Sequence, residues 1–261
     1  MFSHLELNSP SSLLVQNVGH LRCPTINDIV SLREKAGGER SGEDVYNLYL
    51  DIFLRTKAQF LEAISSNFEE EQLKELDAVP LLLLYLSFRE TKELLLDAVD
   101  YFFDEDAVLD SESTSVLLVN KIDNHGIDDY EIVGAITIDN FNEVKNLILQ
   151  RNYVTPPKNA EGKRRSKKMM EFDAKIEKGR KHSAKFKRDR EAMQLGNIVS
   201  KVASGSAFSM SSVYGMTVYQ LYDCFFELNT SIQINAALTR WCVWGKDKFD
   251  FGQWYKITND K

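Results

Sequence analysis

The sequence predicts a mainly α-helical protein that contains one small β-hairpin. Apolar side chains recur every three or four residues through most of the N-terminal part, two β-branched runs follow, and helical spacing returns near the end. Hydrophobic residues make up 43% and charged residues 27% of the 261 positions, a balance typical of a chain with a packed core. In chain order we expect an acidic helical unit with an extended lead-in (1–109), a β-hairpin plus helix (110–157), a basic helix or linker (158–190) and a C-terminal aromatic helical hairpin (191–261).

The lead-in and the first helix are predicted from proline and capping signals. Residues 1–24 are expected to be extended, because two prolines disfavour helix there. Thr25 is then a helix cap with Asp28 three residues later, and the helix should stop at Gly37-Gly38. Its expected inward-facing residues are apolar: Ile26, Ile29, Val30 and Leu32.

The remaining helices of the acidic unit follow from periodicity. Apolar positions repeat at helical spacing from Ser41 to Ile64, which predicts one long helix with acidic residues in its first turn. Shorter helices are expected over residues 69–76, 81–88 and 91–103. The acids at 69–71 and 104–106 fall at the predicted helix boundaries, where carboxylates are solvated or cap a helix.

A change of period marks the β-hairpin. Residues 115–122 and 130–137 are β-branched runs, and the turn-forming residues 123–126 separate them. A helix should restart near Asp139 and end before Pro156-Pro157. Its inner face is predicted to consist of Phe141, Val144, Leu147 and Ile148.

The basic segment contains 14 Lys or Arg residues and five acids between positions 158 and 190, a net charge of +9. Because the whole chain has a charge of −7, the rest of the protein carries −16. Three explanations stay open for this segment: non-specific binding of nucleic acid, a solvated helix or linker, and a docking surface for an acidic helical partner or for acidic helices of neighbouring copies. In the docking interpretation, Lys175, Arg180 and Lys185 steer the acidic partner.

The last part is predicted to contain helices over residues 198–203, 213–228 and 232–243, with Gly245 ending the last one. Its aromatic residues have two interpretations, which are packing within a helical hairpin and contact with a partner. The residues chosen as candidate partner contacts are Tyr219, Tyr222, Phe226, Trp241 and Trp254.

Motifs for chemistry are missing from the sequence. The four histidines share no metal-ligand spacing, and the patterns of phosphate-binding loops and nucleophile elbows do not occur. We therefore expect no enzyme activity, no cofactor and no metal. The three cysteines lack a CxxC pair and fit reduced thiols of a cytosolic protein. No signal peptide and no apolar stretch of membrane-spanning length is recognised, so no membrane partner is expected.

Two stretches near the ends of the chain carry recognisable motifs. The sequence GHLRCPTINDI at 19–29 precedes YNLYL at 46–50, and MTVYQLYDCFFEL occupies 216–228. A Gly-Lys-Asp turn at 245–247 and a closing Trp-Tyr-Lys-Ile at 254–257 follow. In type and order, these motifs resemble those of tail-assembly proteins of phages and prophages of Gram-positive bacteria. The position of the predicted basic helix, before residues 216–228, also matches the layout of those proteins.

The resemblance implies a non-enzymatic protein of phage tail morphogenesis. It is similar to tail assembly chaperones that bind the apolar helices of the tape-measure protein before the tail tube polymerises, and this implies a location in the host cell cytoplasm. A minor structural component of the tail or baseplate, located in the virion, is the first alternative. Non-specific nucleic-acid binding by residues 158–190 is the second. Self-association of the basic helix with the acidic body of another copy is a further expectation.

Overall fold

The computed structural model describes residues 2–35, 37–110, 114–124, 127–154 and 194–245. Helices dominate this part of the chain, which confirms the mainly α-helical prediction. In chain order the helices are α1 (His4–Leu7), α2 (Ile26–Lys35), α3 (Gly42–Leu54), α4 (Lys57–Ile64), the short 3-10 helix Ser65–Asn67, α5 (Glu70–Ala78), α6 (Leu81–Ser87), α7 (Arg89–Phe102), α8 (Phe141–Arg151), α9 (Leu195–Gly205), α10 (Met210–Tyr214) and α11 (Val218–Trp244).

The strands form two small antiparallel sheets: β1 (Leu13–Val15) with β2 (Gly19–Leu21), and β3 (Asp106–Asp110), β4 (Ser115–Asn124) and β5 (Ile127–Ile136) in that spatial order. The predicted hairpin is therefore confirmed as β4 and β5, in which Val116 pairs with Ile136. Strand β3 was not predicted; it pairs Val108 with Leu117 of β4. Its sequence begins and ends with aspartate, a residue depleted in strands, so the sequence did not indicate a strand there.

The lead-in is less extended than predicted. Ser3 caps α1, its hydroxyl accepts from the Glu6 main-chain N–H, and the Glu6 carboxylate accepts from the Ser3 N–H. This capping box starts a helix of a single turn, which ends at Leu7, before Pro10. The extended conformation predicted for residues 1–24 is found in β1 and β2, which pair with each other.

Helix α2 begins with the predicted cap. The Thr25 main-chain N–H donates to the Asp28 carboxylate at 2.8 Å, and the Asp28 N–H donates back to the Thr25 hydroxyl at 3.2 Å. The helix ends at Lys35, shortly before Gly37 and Gly38, which both adopt positive φ. Val30 was wrongly placed on the inner face: it is 56% exposed.

The single helix predicted from Ser41 to Ile64 is wrong. Helix α3 ends at Leu54, Arg55 is extended, and Thr56 caps the separate helix α4. The Thr56 and Gln59 side chains form a capping box, so a local signal for the break was present in the sequence.

The predicted C-terminal pair of helices over 213–228 and 232–243 is also wrong. Residues 218–244 form one continuous helix, α11, which starts at the cap Thr217 and ends at Gly245 in left-handed conformation. The polar residues between the two predicted helices lie within it, and the Thr230 hydroxyl donates to the Phe226 carbonyl at 2.8 Å. Helix α9 packs against α11 instead, and Gly205 lies close to Leu228.

One apolar core connects elements that are far apart in the sequence. It contains buried residues of β2, of helices α2 to α9 except α5, of the three-stranded sheet and of α11. Some of its fully buried members are Leu21, Phe53, Tyr85, Phe102, Ile148 and Leu221. The core therefore fixes the N-terminal half of α11 against the rest of the described chain.

Glu105 corrects the expectation that the acids at 104–106 are solvated. It is buried, and its carboxylate accepts the His20 main-chain N–H at 2.9 Å and contacts His20 Nδ1 at 2.6 Å. Gly19 leaves room for this carboxylate, since a Cβ at that position would lie 2.7 Å from Glu105 Oε2. The pair joins β2 to the start of β3.

We expect Glu105→Ala to lower the free energy of unfolding by about 2–3 kcal/mol, because the His20 N–H loses its acceptor and the space of the buried carboxylate is left unfilled. Urea denaturation followed by circular dichroism measures the change. The adjacent Asp104 is exposed, so Asp104→Ala is the matched control and should stay within about 0.5 kcal/mol of the parent. Equal effects of the two substitutions would contradict a structural role of the buried carboxylate.

Candidate functional site

The two motif stretches near the ends of the chain are neighbours in the structure. The Ile26 N–H donates to the Met216 carbonyl, and the Val218 N–H donates to the Pro24 carbonyl, both at 3.0 Å. These bonds join the start of α2 to the start of α11. Buried Cys23 and Tyr219 also share a small apolar cluster. The motifs at 19–29 and 216–228 therefore build one structural region.

Three of the predicted partner-binding residues converge on Tyr153. Its ring centroid lies 5.0 Å from that of Tyr219 and 5.5 Å from those of Tyr222 and Phe226. The Tyr222 and Phe226 rings stack on it at interplanar angles of 11° and 18°. The spacing of three and four residues along α11 brings the three side chains to the same face.

Tyr153 itself was not predicted. It follows α8 with φ of 60°, and the next N–H, that of Val154, donates to the Leu149 carbonyl at 2.8 Å. Glycine is the usual residue in this left-handed helix-ending position, where a side chain costs about 1 kcal/mol. The ring stacking on α11 offsets this cost.

Arg151 is the central residue that sequence inspection missed. Its side chain is fully buried at the end of α8, and burial lowers the pKa of its guanidinium. The guanidinium N–H groups donate to main-chain carbonyls of residues 2–11, which we call the N-terminal arm. The four acceptors are the carbonyls of Glu6, Leu7, Ser9 and Ser11. A signal existed, because position 151 continues the inner face marked by residues 141, 144 and 148.

The N-terminal arm also binds side chains of α11. The Gln220 Nε2 donates to the Asn8 carbonyl at 2.7 Å, and the Asn8 amide donates to the Asp223 carboxylate at 3.3 Å. His4 Nδ1 lies 3.1 Å from the Tyr219 hydroxyl, and burial raises the pKa of Tyr219 to about 12. Tyr219 thus holds the arm, and its role in binding a partner stays a prediction.

The second half of α11 differs from the first. We call residues 229–245 the distal end. From Ser231 onward nearly every described side chain is exposed, and Trp241 is 41% exposed. Arg240 is the single charged residue of the distal end. Since surface helices of globular proteins carry charged residues on their outer face, an exposed helix with this composition is suited to binding another apolar surface.

The three basic candidates for partner binding, Lys175, Arg180 and Lys185, lie outside the described residues, as does the whole segment 158–190. The aromatic candidate Trp254 also lies outside them.

No metal site is formed within the described ranges, where no three histidine, cysteine or acidic side chains come together in a way that could hold an ion. None of the helices in these ranges has the length and hydropathy needed to cross a membrane. The three cysteines are free thiols: Cys23 is buried, Cys224 half-buried and Cys242 exposed. Burial raises the pKa of the Cys23 thiol.

The comparisons with known proteins concern the C-terminal part of the chain. Residues 185–259 match a family model described as the YomV second domain, a phage-derived family. The match includes α9, α10 and α11, and hence both the aromatic cluster and the distal end. No curated protein and no solved structure matches the chain. The match covers less than half of the chain, and what it indicates is a phage protein.

Proposed function

We propose that this protein is a non-enzymatic tail assembly chaperone of a phage. In this proposal the distal end of α11 binds apolar helices of the tape-measure protein in the host cell and keeps them soluble until the tail tube assembles. The observation that carries the proposal is the exposed, nearly uncharged distal end on a helix whose other half is fixed in the core.

The binding mode follows from the chemistry of this surface. An amphipathic partner helix can lay its apolar face along a helix that offers apolar side chains and little charge. Trp241 is a large, partly exposed side chain there, and tryptophan is enriched among residues that dominate binding energies. The phage family match and the resemblance of the two end motifs to tail-assembly proteins support the choice of a tail protein as partner.

The test is co-expression with the tape-measure protein encoded by the same phage. The parent protein should keep the tape-measure protein in the soluble fraction and co-purify with it. Trp241→Glu should weaken the complex by about 30-fold, which corresponds to about 2 kcal/mol. The matched control is Val30→Glu, which places the same charge at an exposed apolar residue of α2 and should leave binding unchanged.

Two results would contradict the chaperone role. One is a tape-measure protein that stays insoluble in the presence of the parent chain. The other is a mature virion that contains this chain in many copies, which would favour the alternative of a structural tail or baseplate component. Mass spectrometry of purified virions against infected-cell lysate measures the second outcome.

A further inference from the structure

One exposed face of the distal end consists of four residues that we call the distal stripe: Ile232, Ala236, Thr239 and Val243. Successive intervals of four, three and four positions place them on the same face of α11. Ile232 is 57% and Val243 is 68% exposed, and Ala236 and Thr239 are exposed as well. With Arg240, the last three of these residues line an open depression on the helix surface.

The distal stripe is complementary to itself. Its spacing reads the same in both directions, with a large apolar residue at each end and small residues in the middle. We infer that the distal stripe pairs antiparallel with the same stripe of a second copy of this chain. Ile232 of each copy then opposes Val243 of the other, and Ala236 opposes Thr239. The alternation of three- and four-residue steps is that of helices that pack side by side, and the contact is two-fold symmetric.

The charges of the distal end are compatible with a second copy of the chain as its partner. In the antiparallel register Arg240 opposes Asn235, so that like charges do not face each other directly. The two helix dipoles run in opposite directions, which favours the pair. The antiparallel arrangement also puts the two core-packed halves of α11, and hence the two acidic bodies, at opposite ends of the paired helices. A partner of high negative charge would not be complementary to the distal end, since Arg240 is the single cation among residues 229–245.

The size of the stripe sets the strength of the pair. It covers about 17 Å of helix at 1.5 Å per residue, and it contributes far fewer than the roughly 20–30 residues per side of a stable interface. The dimer is therefore weak and dissociates readily on dilution. This inference does not depend on the proposed tail role, because it concerns the chain alone.

Sedimentation velocity of the full chain measures the pairing. The sedimentation coefficient should rise with protein concentration across roughly the micromolar to millimolar range. Ile232→Glu and Val243→Glu should each raise the dimer dissociation constant at least about tenfold, because a charge replaces a buried apolar contact. Val30→Glu is the matched control, since Val30 is exposed to nearly the same fraction as Ile232 on a different helix.

Disulfide trapping tests the register. In a Cys242→Ser background, chains with Ile232→Cys and chains with Val243→Cys should cross-link to each other when mixed under mild oxidation. Neither variant should cross-link with itself, because two copies of position 232 lie about 17 Å apart along the paired helices, beyond the roughly 7 Å that a disulfide can bridge.

Four results would overturn the inference. The first three are a chain that stays monomeric at every concentration, a dimer that the two glutamate variants leave unchanged, and self-cross-linking of the Ile232→Cys chain, which requires parallel helices. Dimerisation that occurs only after removal of residues 247–261 would also overturn it, because the chain's own C-terminal segment would then be the occupant of the stripe.

Discussion

Replacing Arg151 by methionine is expected to lower the free energy of unfolding by about 3–5 kcal/mol. The guanidinium is fully buried, and its N–H groups donate to four main-chain carbonyls of the N-terminal arm. Methionine fills a similar volume but donates no hydrogen bond, so the carbonyls are left without this donor. Urea denaturation followed by circular dichroism measures the loss.

Two further variants make this prediction specific. Arg55→Met removes an arginine whose ion pair with Asp51 is partly exposed to solvent, and it should change stability by less than about 1 kcal/mol. In the Arg151→Met protein, limited proteolysis should cleave the N-terminal arm faster than in the parent. If Arg151→Met costs no more than Arg55→Met, the buried guanidinium does not hold the arm.

Replacing Gly42 by alanine is expected to cost at least about 3 kcal/mol. Gly42 is the first residue of α3 and lies against the middle of α2, where an added Cβ would be 1.9 Å from the Ile29 carbonyl oxygen and 3.2 Å from that of Val30. Because both obstacles are main-chain atoms, the two helices must move apart to accept the methyl group. Thermal and urea denaturation measure the destabilisation.

Gly196 supplies the matched control for this substitution. It lies in the first turn of α9, and an added Cβ would meet no atom within 4 Å. Gly196→Ala should therefore be neutral or stabilise the protein by up to about 1 kcal/mol, since alanine favours helix and restricts the unfolded chain. The same chemical change thus has opposite expected signs at the two positions. A loss at Gly196 equal to that at Gly42 would refute the steric explanation.

The helices that the sequence predicts correctly are those with strong local signals. The reciprocal cap of Thr25 and Asp28 and the inner face of α8 depend on residues three and four apart, so a linear sequence displays them. The errors concern connections. The apolar repeat continues across the break at Arg55. The polar stretch around Thr230 stays helical although it looked like a linker, and the Thr230 hydroxyl donates to the Phe226 carbonyl one turn earlier.

The candidate site was predictable in composition but not in arrangement. The aromatic type and spacing of Tyr219, Tyr222 and Phe226 identified one face of α11. The contact of Tyr219 with His4, 215 positions away, is set by the tertiary fold. The tertiary fold also sets the surroundings of Arg151 and Glu105. Charged residues are usually solvated, and these two are buried because main-chain groups of distant segments form hydrogen bonds with them.

The N-terminal arm has a consequence for the order of events during biosynthesis. The arm is translated before its partners, because Arg151 and Gln220 follow the residues they bind by 140 or more positions. At roughly 5–20 residues per second, the last of these partners emerges at least about 10 s after the arm. Docking of the arm is therefore a late step of folding, completed only after the first turn of α11 has been translated. A nascent chain that stalls before α11 leaves the N-terminal arm exposed to proteases, whereas the folded protein protects it.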